Sequence, residues 1–266
     1  MKKYLQVFKI SWQDSFAYRL NFFLWRLRTI FWILASYFFW LVVYQNRTTI
    51  GGYNQQSMFT YILGVFILSD LILSSLSVNL SVDISTGNLS NQLVKPVNIY
   101  YYWLARDWAD KLLNLLFSLA EIAFVFVILR PPIFINLNFV SLIIIAVAVF
   151  LALLLNFFLN FLVSLLAFWF PEHGGWPQRF LFSILLSFFA GLYFPLDIFP
   201  KIIYQIFQIL PTSYLIFFPL QIYLGRISSK EILVGFFLMV AWTLILIKVN
   251  KIVWRQGIAK YSSEGR

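Results

Sequence analysis

Long uninterrupted apolar runs dominate this sequence and restrict what it can fold into. The run from Phe139 to Phe170 contains no charged residue at all. A helix needs about 20 apolar residues to cross a hydrocarbon core about 30 Å thick. Charged residues make up only 11% of the chain, whereas soluble domains contain about 25%. The sequence therefore predicts an all-α integral membrane protein.

Six of these runs are predicted to span the membrane as helices, within a single membrane domain that covers residues 1–266. The predicted spans are 27–45, 58–80, 112–129, 139–170, 176–194 and 232–254. As one helix the fourth run would be about 48 Å long, so we expect it to tilt or to protrude from the bilayer.

The N-terminal stretch 1–24 is predicted to be an amphipathic helix that lies in the membrane interface. Its large apolar residues recur at spacings of three and four, while lysines and glutamines fall on the other side. Those apolar residues are Leu5, Phe8, Trp12, Phe16 and Leu20. The basic side would face anionic lipid. The alternative is a helix that simply extends the first span inward.

Prolines interrupt the apolar stretch 195–225, just before the sixth span. Proline removes a backbone donor and clashes with the preceding turn, so none of the pieces can span as a regular helix. We expect a re-entrant pair of short helices on the outer side, with its irregular corners protected by protein. The alternative is one kinked additional span.

The basic residues are distributed unevenly. Of the 20 Lys and Arg residues, 15 fall at the termini and in the loops after the second and fourth spans, and 5 fall on the opposite side. Under the positive-inside rule both termini face the cytoplasm, in a plasma or inner membrane. Membrane orientation thus accounts for the net charge of +10, and we expect no nucleic-acid partner. The lack of Cys and the single His predict no transition-metal site.

A few polar side chains fall within the predicted spans. Glu121 lies in the third span, and an intramembrane carboxylate normally faces a partner or a wet cavity. Asn156, Asn160 and Ser164 stand four apart on one face of the fourth span, where such groups usually hold helices together. Glu121, Asn156 and Asn160 could instead line a transport pathway.

The polar stretch 81–111 separates the second and third spans. Within it, Gly87 permits a turn with positive φ and Pro96 stops a helix at Lys95. Asp83 and Lys95 offer charges to a soluble partner. The spacing also predicts ion pairs of Arg106 with Asp110 and of Asp107 with Lys111.

Two stretches resemble the permease subunits of ABC-2 type transporters. They are "ISTGNLSNQLVKPVN" at residues 84–98 and "GLYFPLDIFPKIIYQIFQILPTSYLIFFPLQIYLG" at residues 191–225. The likeness implies one half of an export pathway, completed by a second identical or related permease. It also implies a separate ATP-binding subunit that docks on the cytoplasmic stretch. The residues to which this coupling role carries over are Asp83, Ser85, Thr86, Gly87, Asn88, Leu89, Leu93, Lys95 and Pro96.

ATP and magnesium are expected on that partner, because no Gly in this sequence is followed by Lys, as a Walker A loop requires. We therefore expect neither a catalytic residue nor a cofactor in this chain. Two alternatives remain. A membrane-embedded transferase would use Glu172 and His173 of "PEHGGWP", and an ion-coupled channel or carrier would use Glu121. The sequence does not specify the transported substrate.

Overall fold

The computed structural model describes residues 2–14, 19–136 and 138–261. Within these ranges the chain is almost entirely helical. The α-helices are α1 Lys2–Asp14, α2 Arg19–Val43, α3 Gln55–Leu68, α4 Leu80–Ser85, α5 Leu89–Leu93, α6 Ile99–Leu129, α7 Phe139–Leu165, α8 Trp176–Phe189, α9 Lys201–Ile209, α10 Phe217–Tyr223 and α11 Ser229–Lys260. Two short antiparallel strands, β1 Thr49–Ile50 and β2 Tyr53–Asn54, join α2 to α3.

Five helical stretches in the described part of the chain are long and apolar enough to cross a membrane. They are Arg26–Val43, Gln55–Leu73, Ile99–Leu129, Phe139–Phe168 and Ser229–Lys260. These stretches contain the predicted first, third and sixth spans nearly entirely, and they match the fourth. The prediction of a nearly all-α membrane protein is confirmed.

The predicted fifth span, 176–194, forms a shorter helix than expected. α8 has 14 residues, which corresponds to about 21 Å. The helix ends because Gly191 adopts a φ of +82°, and its carbonyl accepts a hydrogen bond of 2.6 Å from the Tyr61 hydroxyl. A Cβ at Gly191 would lie 2.6 Å from that hydroxyl oxygen, so only glycine fits this turn. α8 is therefore not among the five long helices.

The predicted second span, 58–80, is wrong at its C-terminal end. α3 continues into a π-helical turn at Ser69–Leu73, after which Ser74 and Ser75 are extended. A 3₁₀ turn at Leu76–Asn79 then leads into α4. Serine hydroxyls compete with the helical backbone for hydrogen bonds, and other elements bind the carbonyl groups that this break exposes.

The third long helix begins before the predicted start of the third span. α6 starts at Ile99 rather than at residue 112, because Asn98 caps it by accepting hydrogen bonds from the backbone amides of Tyr100 and Tyr101. The predicted polar stretch 81–111 is therefore divided at Asn98. Up to that residue it consists of short helices and turns. Its remainder, 99–111, forms the first turns of α6.

The proline-rich stretch 195–225 consists of short helical pieces, as its prolines predict. A 3₁₀ turn at Leu196–Ile198, α9, a second 3₁₀ turn at Pro211–Tyr214 and α10 follow one another. Pro219 is tolerated because it lies in the first turn of α10, where a backbone amide has no helical partner. α10 is buried and packs against α3 and α7.

α7 lies at the centre of the bundle, in contact with α10 and α11, while α1 packs along α6. The rings of Tyr4 and Tyr101 meet edge to face at 5.6 Å. The helix predicted over 1–24 is seen as α1 and the start of α2. Phe16 and the side chain of Leu20, which belong to its predicted apolar stripe, lie outside the described residues.

Candidate functional site

The polar segment, residues 83–96, forms a bent corner between α4 and α6. Gly87 has a φ of +79°, which confirms the predicted left-handed turn, and α5 follows immediately. The Gly87 carbonyl accepts a hydrogen bond of 2.7 Å from the Ser90 hydroxyl, so the turn and the start of α5 are tied together. α5 ends at Leu93, slightly before the predicted stop at Lys95.

Tyr261, directly after α11, fixes this corner from outside the segment. Its hydroxyl donates a hydrogen bond of 2.6 Å to the Gly87 carbonyl and accepts one of 3.1 Å from the Ser90 amide. The Tyr261 ring also packs edge to face against Phe168, at 6.0 Å. Sequence reasoning missed this tyrosine, because it lies 174 residues from Gly87 in the chain.

The N-terminal helix α1 binds the other end of the polar segment. The Lys3 ammonium donates a hydrogen bond of 2.6 Å to the Pro96 carbonyl, and the Asn98 amide donates one of 3.1 Å to the Tyr4 hydroxyl. The segment is therefore attached to both terminal helices of the described chain.

The predicted coupling residues divide into an exposed group, a half-buried pair and a buried pair, Gly87 and Leu89. The exposed ones share the outer surface of the corner and are Thr86, Asn88, Leu93, Lys95 and Pro96. Val94, which was not among the predicted residues, is 82% exposed beside Leu93 at 47%. Leu89 is fully buried with Trp103 and Phe157 in the core beneath, so it supports the corner from inside.

Asp83 and Ser85 are half-buried. The Asp83 carboxylate accepts a hydrogen bond of 2.5 Å from the Gln92 side chain, which joins α4 to α5. Burial raises the pKa of Asp83, while the Gln92 hydrogen bond and the positive charge of Arg106 oppose that rise. Ser85 donates to the Val82 carbonyl at 3.0 Å.

The loop at 171–175, which precedes α8, packs against α4. The Ser81 hydroxyl donates a hydrogen bond of 2.9 Å to the Gly174 carbonyl, and Gly174 has a φ of +64°. Glu172 and His173, the transferase candidates, are both exposed in this loop. The loop and the polar segment thus lie side by side at one end of the bundle.

A buried ionic cluster occupies the break after α3. The Lys111 ammonium lies 3.4 Å from the Asp107 carboxylate, and both side chains are almost completely buried. Lys111 also donates to the carbonyls of Leu71, Ile72 and Ser74. It therefore replaces helical hydrogen bonds that the break removes.

Asp107 binds the other side of the same break. One carboxylate oxygen accepts hydrogen bonds of 2.6 Å from the Ser75 hydroxyl and 2.8 Å from the Leu76 amide. The predicted pair of Asp107 with Lys111 is confirmed. The predicted pair of Arg106 with Asp110 is wrong: the Arg106 guanidinium lies 4.7 Å from the centre of the Trp103 ring, and Asp110 accepts from Asn114 at 3.0 Å.

Arg26, at the start of the first long helix, reaches the carboxylates of two other helices. Its guanidinium lies 2.6 Å from Asp70 and 3.6 Å from Glu121, and it hydrogen-bonds Asn114. Glu121 is 8% exposed. Glu121 thus has the kind of partner expected for an intramembrane carboxylate. That partner is Arg26, which the sequence places in the basic N-terminal region.

The polar face of α7 contacts the broken segment. The Asn156 amide donates a hydrogen bond of 2.5 Å to the Ile72 carbonyl, and the Ser164 hydroxyl donates one of 3.1 Å to the Ser77 carbonyl. Asn160 donates to Asn156 at 3.0 Å. These contacts are of the helix-packing kind favoured for this face.

Another group of polar side chains joins the β1–β2 hairpin to the proline-rich stretch. We call it the hairpin lock, and it consists of Tyr53, Asp197, Gln221 and Arg226. The Tyr53 hydroxyl donates a hydrogen bond of 2.8 Å to Asp197 and accepts one of 2.6 Å from Gln221. The Arg226 guanidinium stacks 3.8 Å from the centre of the Tyr53 ring. It also donates to the Gly52 carbonyl at 2.8 Å. Burial, followed by the negative charge of Asp197, raises the pKa of Tyr53.

Comparison with known protein families places the chain in a transporter family. The model of the family described as "ABC-2 family transporter protein" matches residues 30–265. This chain belongs to the ABC-2 transporter family. Its match begins inside α2, so α1 lies outside it, and it includes the polar segment, the buried ionic cluster and the hairpin lock. No curated protein matches the chain.

Membership identifies the chain as a transmembrane transport protein of the ABC permease type, which confirms the resemblance noted in the sequence. In this ABC-2 protein the polar segment and the 171–175 loop both turn through positive-φ residues at the same end of the bundle. The polar segment is bound by Lys3 of α1 and by Tyr261, directly after α11.

Proposed function

We propose that this chain is the permease subunit of an ABC exporter and forms one half of a transport pathway. In this proposal a second copy or a related permease supplies the other half. A separate ATP-binding subunit, with its ATP and magnesium, docks on the polar segment and drives the movement. Family membership supports the permease role, and the proposal extends it to docking and export.

One observation carries the docking proposal. The polar segment presents Leu93 and Val94 to solvent on a corner whose backbone is fixed by Tyr261 and Lys3. Exposed apolar side chains on a held backbone are typical of a protein-binding surface. A partner that pulls on this corner would therefore move α4, α6 and the terminal helices rather than only a loose loop.

We further propose that the chain crosses the membrane six times, with both termini in the cytoplasm. Five crossings alone would place the termini on opposite sides, against the distribution of 15 and 5 basic residues. α8 is apolar and, together with the chain up to Phe194, would make the sixth crossing. Its 14 residues require a locally thin bilayer or protein cover at its end. The proline-rich stretch then lies on the outer side as a re-entrant hairpin.

Three glycine variants test the docking proposal, because each glycine has positive φ. Gly87→Val changes the polar segment, whose φ is +79°. Gly174→Val changes the neighbouring loop at φ +64°, and Gly225→Val changes a distant turn at φ +66° with open space around it. A β-branched residue at such a position costs about 1–3 kcal/mol. The three variants therefore carry similar backbone strain at different places.

The measurement is co-purification with the proposed ATP-binding subunit, followed by ATP hydrolysis in lipid. We expect Gly87→Val to insert normally but to lose binding or substrate-stimulated hydrolysis, while Gly225→Val keeps both. If Gly174→Val abolishes both and Gly87→Val retains them, the docking surface is the 171–175 loop and the assignment to the polar segment fails.

A further inference from the structure

A cavity of about 510 Å³ lies between the proline-rich stretch and the first part of α11. Its walls come from α9, the Pro211–Tyr214 turn, α10 and the segment Ile227–Leu238. It lies at the end of α11 opposite to Tyr261. No residue of the polar segment or of the buried ionic cluster lines it, and only Gln221 is shared with the hairpin lock.

The floor of the cavity is apolar and largely aromatic. Phe207, Phe217 and Phe218 line it, each between 5% and 7% exposed. Leu238 and the exposed Val234 complete the wall on α11. The volume falls within the range of about 300–1,000 Å³ that ligand pockets occupy. A hydrocarbon chain resting on this floor would be removed from water.

One lysine and one glutamate line the cavity, and they form no ion pair with each other. Lys230 lines the cavity, is exposed, and forms no ion pair within the described ranges. The carboxylate of Glu231, which also lines the cavity, accepts hydrogen bonds of 2.7 Å from both the amide and the hydroxyl of Ser228, in the cap of α11. That carboxylate is therefore held by the helix terminus, and Lys230 keeps its charge for another group.

Gln221 adds a second recognition element. Its side chain is 1% exposed, and its amide nitrogen donates to the Tyr53 hydroxyl at 2.6 Å. The amide oxygen is buried and accepts no hydrogen bond from the described residues. Because a buried acceptor without a donor is costly, this oxygen is suited to a ligand that carries a hydroxyl group.

We infer that this cavity binds an anionic phospholipid. One acyl chain lies against the three phenylalanines, and the phosphate pairs with Lys230. A glycerol-type headgroup supplies the hydroxyl donor for Gln221. A lysine near the membrane surface attracts anionic lipid in this way. The inference goes beyond the proposed function, because binding at this end of the bundle needs neither the ATP-binding subunit nor ATP.

The test uses the purified full chain in nanodiscs, with photoactivatable phosphatidylglycerol that carries a diazirine in one acyl chain. Phosphatidylcholine with the same label serves as the comparison lipid. Crosslinked peptides are mapped by mass spectrometry. We expect phosphatidylglycerol to label peptides from 204–221 and 227–238 about fivefold more than phosphatidylcholine, since one lysine near a lipid phosphate contributes about 1 kcal/mol.

Two pairs of variants separate the cavity from general lipid contact. Val234→Trp fills the cavity and should abolish labelling there. Val240→Trp alters a similarly exposed valine of the same helix, at 44% against 49%, outside the cavity, and should leave labelling unchanged. Lys230→Gln should remove the phosphatidylglycerol preference, whereas Lys201→Gln, an exposed lysine of α9 that does not line the cavity, should keep it.

Equal labelling by both lipids, or undiminished labelling in Val234→Trp, overturns the inference. Unlabelled palmitate and unlabelled phosphatidylglycerol are added as competitors. Displacement by phosphatidylglycerol supports a phospholipid site. Displacement by palmitate alone shows a fatty-acid site and refutes the phospholipid assignment. Because none of these measurements involves ATP hydrolysis, their failure and the failure of the docking proposal can be told apart.

Discussion

The hydroxyl of Tyr261 offers a sharp test of how the polar segment is held. Tyr261→Phe removes one oxygen and keeps the ring that packs on Phe168. Two hydrogen bonds are lost, the one donated to the Gly87 carbonyl and the one accepted from the Ser90 amide. No new unpaired group results, because Gly87 and Ser90 also bond each other, from amide to carbonyl at 3.2 Å and through the Ser90 hydroxyl.

The expected effect follows from those two bonds. A typical hydrogen bond contributes about 0.5–1.5 kcal/mol net, so the ordered corner should lose about 1–3 kcal/mol. A free energy of this size equals a change of about 5–150-fold in an equilibrium, and it is the usual size of coupling between linked sites. The loss should therefore be visible both in local opening and in coupling to the partner.

Hydrogen exchange on the purified permease measures local opening directly. We expect the amides of 88–93 to exchange at least about fivefold faster in Tyr261→Phe, by the same arithmetic. The control is Tyr101→Phe, since Tyr101 is 59% exposed and its hydroxyl makes no hydrogen bond within the described residues. If exchange in 88–93 is the same in Tyr261→Phe and wild type, Tyr261 does not hold the corner and the reasoning is refuted.

Three further variants probe the ionic groups. Lys111→Met leaves Asp107 buried without its cation, which should cost about 3–5 kcal/mol; a melting temperature equal to wild type would contradict this, and adding Asp107→Asn should recover part of the loss. Glu121→Gln should fold, assemble and transport like wild type, because Arg26 keeps its contact with Asp70 at 2.6 Å; an altered substrate choice in a transport assay would instead place Glu121 on the pathway. Arg226→Lys loses the planar stack and the forked donors, so we expect faster proteolysis at 47–54, and an unchanged cleavage rate would count against the hairpin lock.

Hydropathy predicted the helices that follow directly from apolar runs. The run beginning at Phe139 coincides with the start of α7, and the prolines between 195 and 225 mark breaks that the structure contains. Such features are local, because a span needs length and apolar character, and a proline disrupts its own turn.

Span boundaries predicted from hydropathy were wrong where a charged residue is buried against a partner that lies far away in the sequence. The third span was predicted to begin at 112, after Asp107 and Lys111, yet both residues are buried against the break after α3. That break was itself read as part of a span, because Ile72 and Leu73 are apolar. The two errors have one cause: the lysine and the broken backbone satisfy each other, and neither is visible from its own neighbours in sequence. Tyr261 and Arg226 escaped notice for the same reason.

The buried ionic cluster also connects the polar segment to the rest of the helix bundle, so it determines which elements move when the segment moves. The chain runs from this segment to the break through α4 and to the membrane through α6. The two paths meet again where Asp107 binds Ser75 and Lys111 binds the carbonyls of Leu71, Ile72 and Ser74. Residues 75–111 therefore form a loop closed by buried, charge-assisted hydrogen bonds. A closed loop of this kind should move as a unit. We accordingly expect movement at the corner to appear at the π-helical turn after α3 and at the Asn156 contact on α7, rather than to be absorbed in a flexible linker.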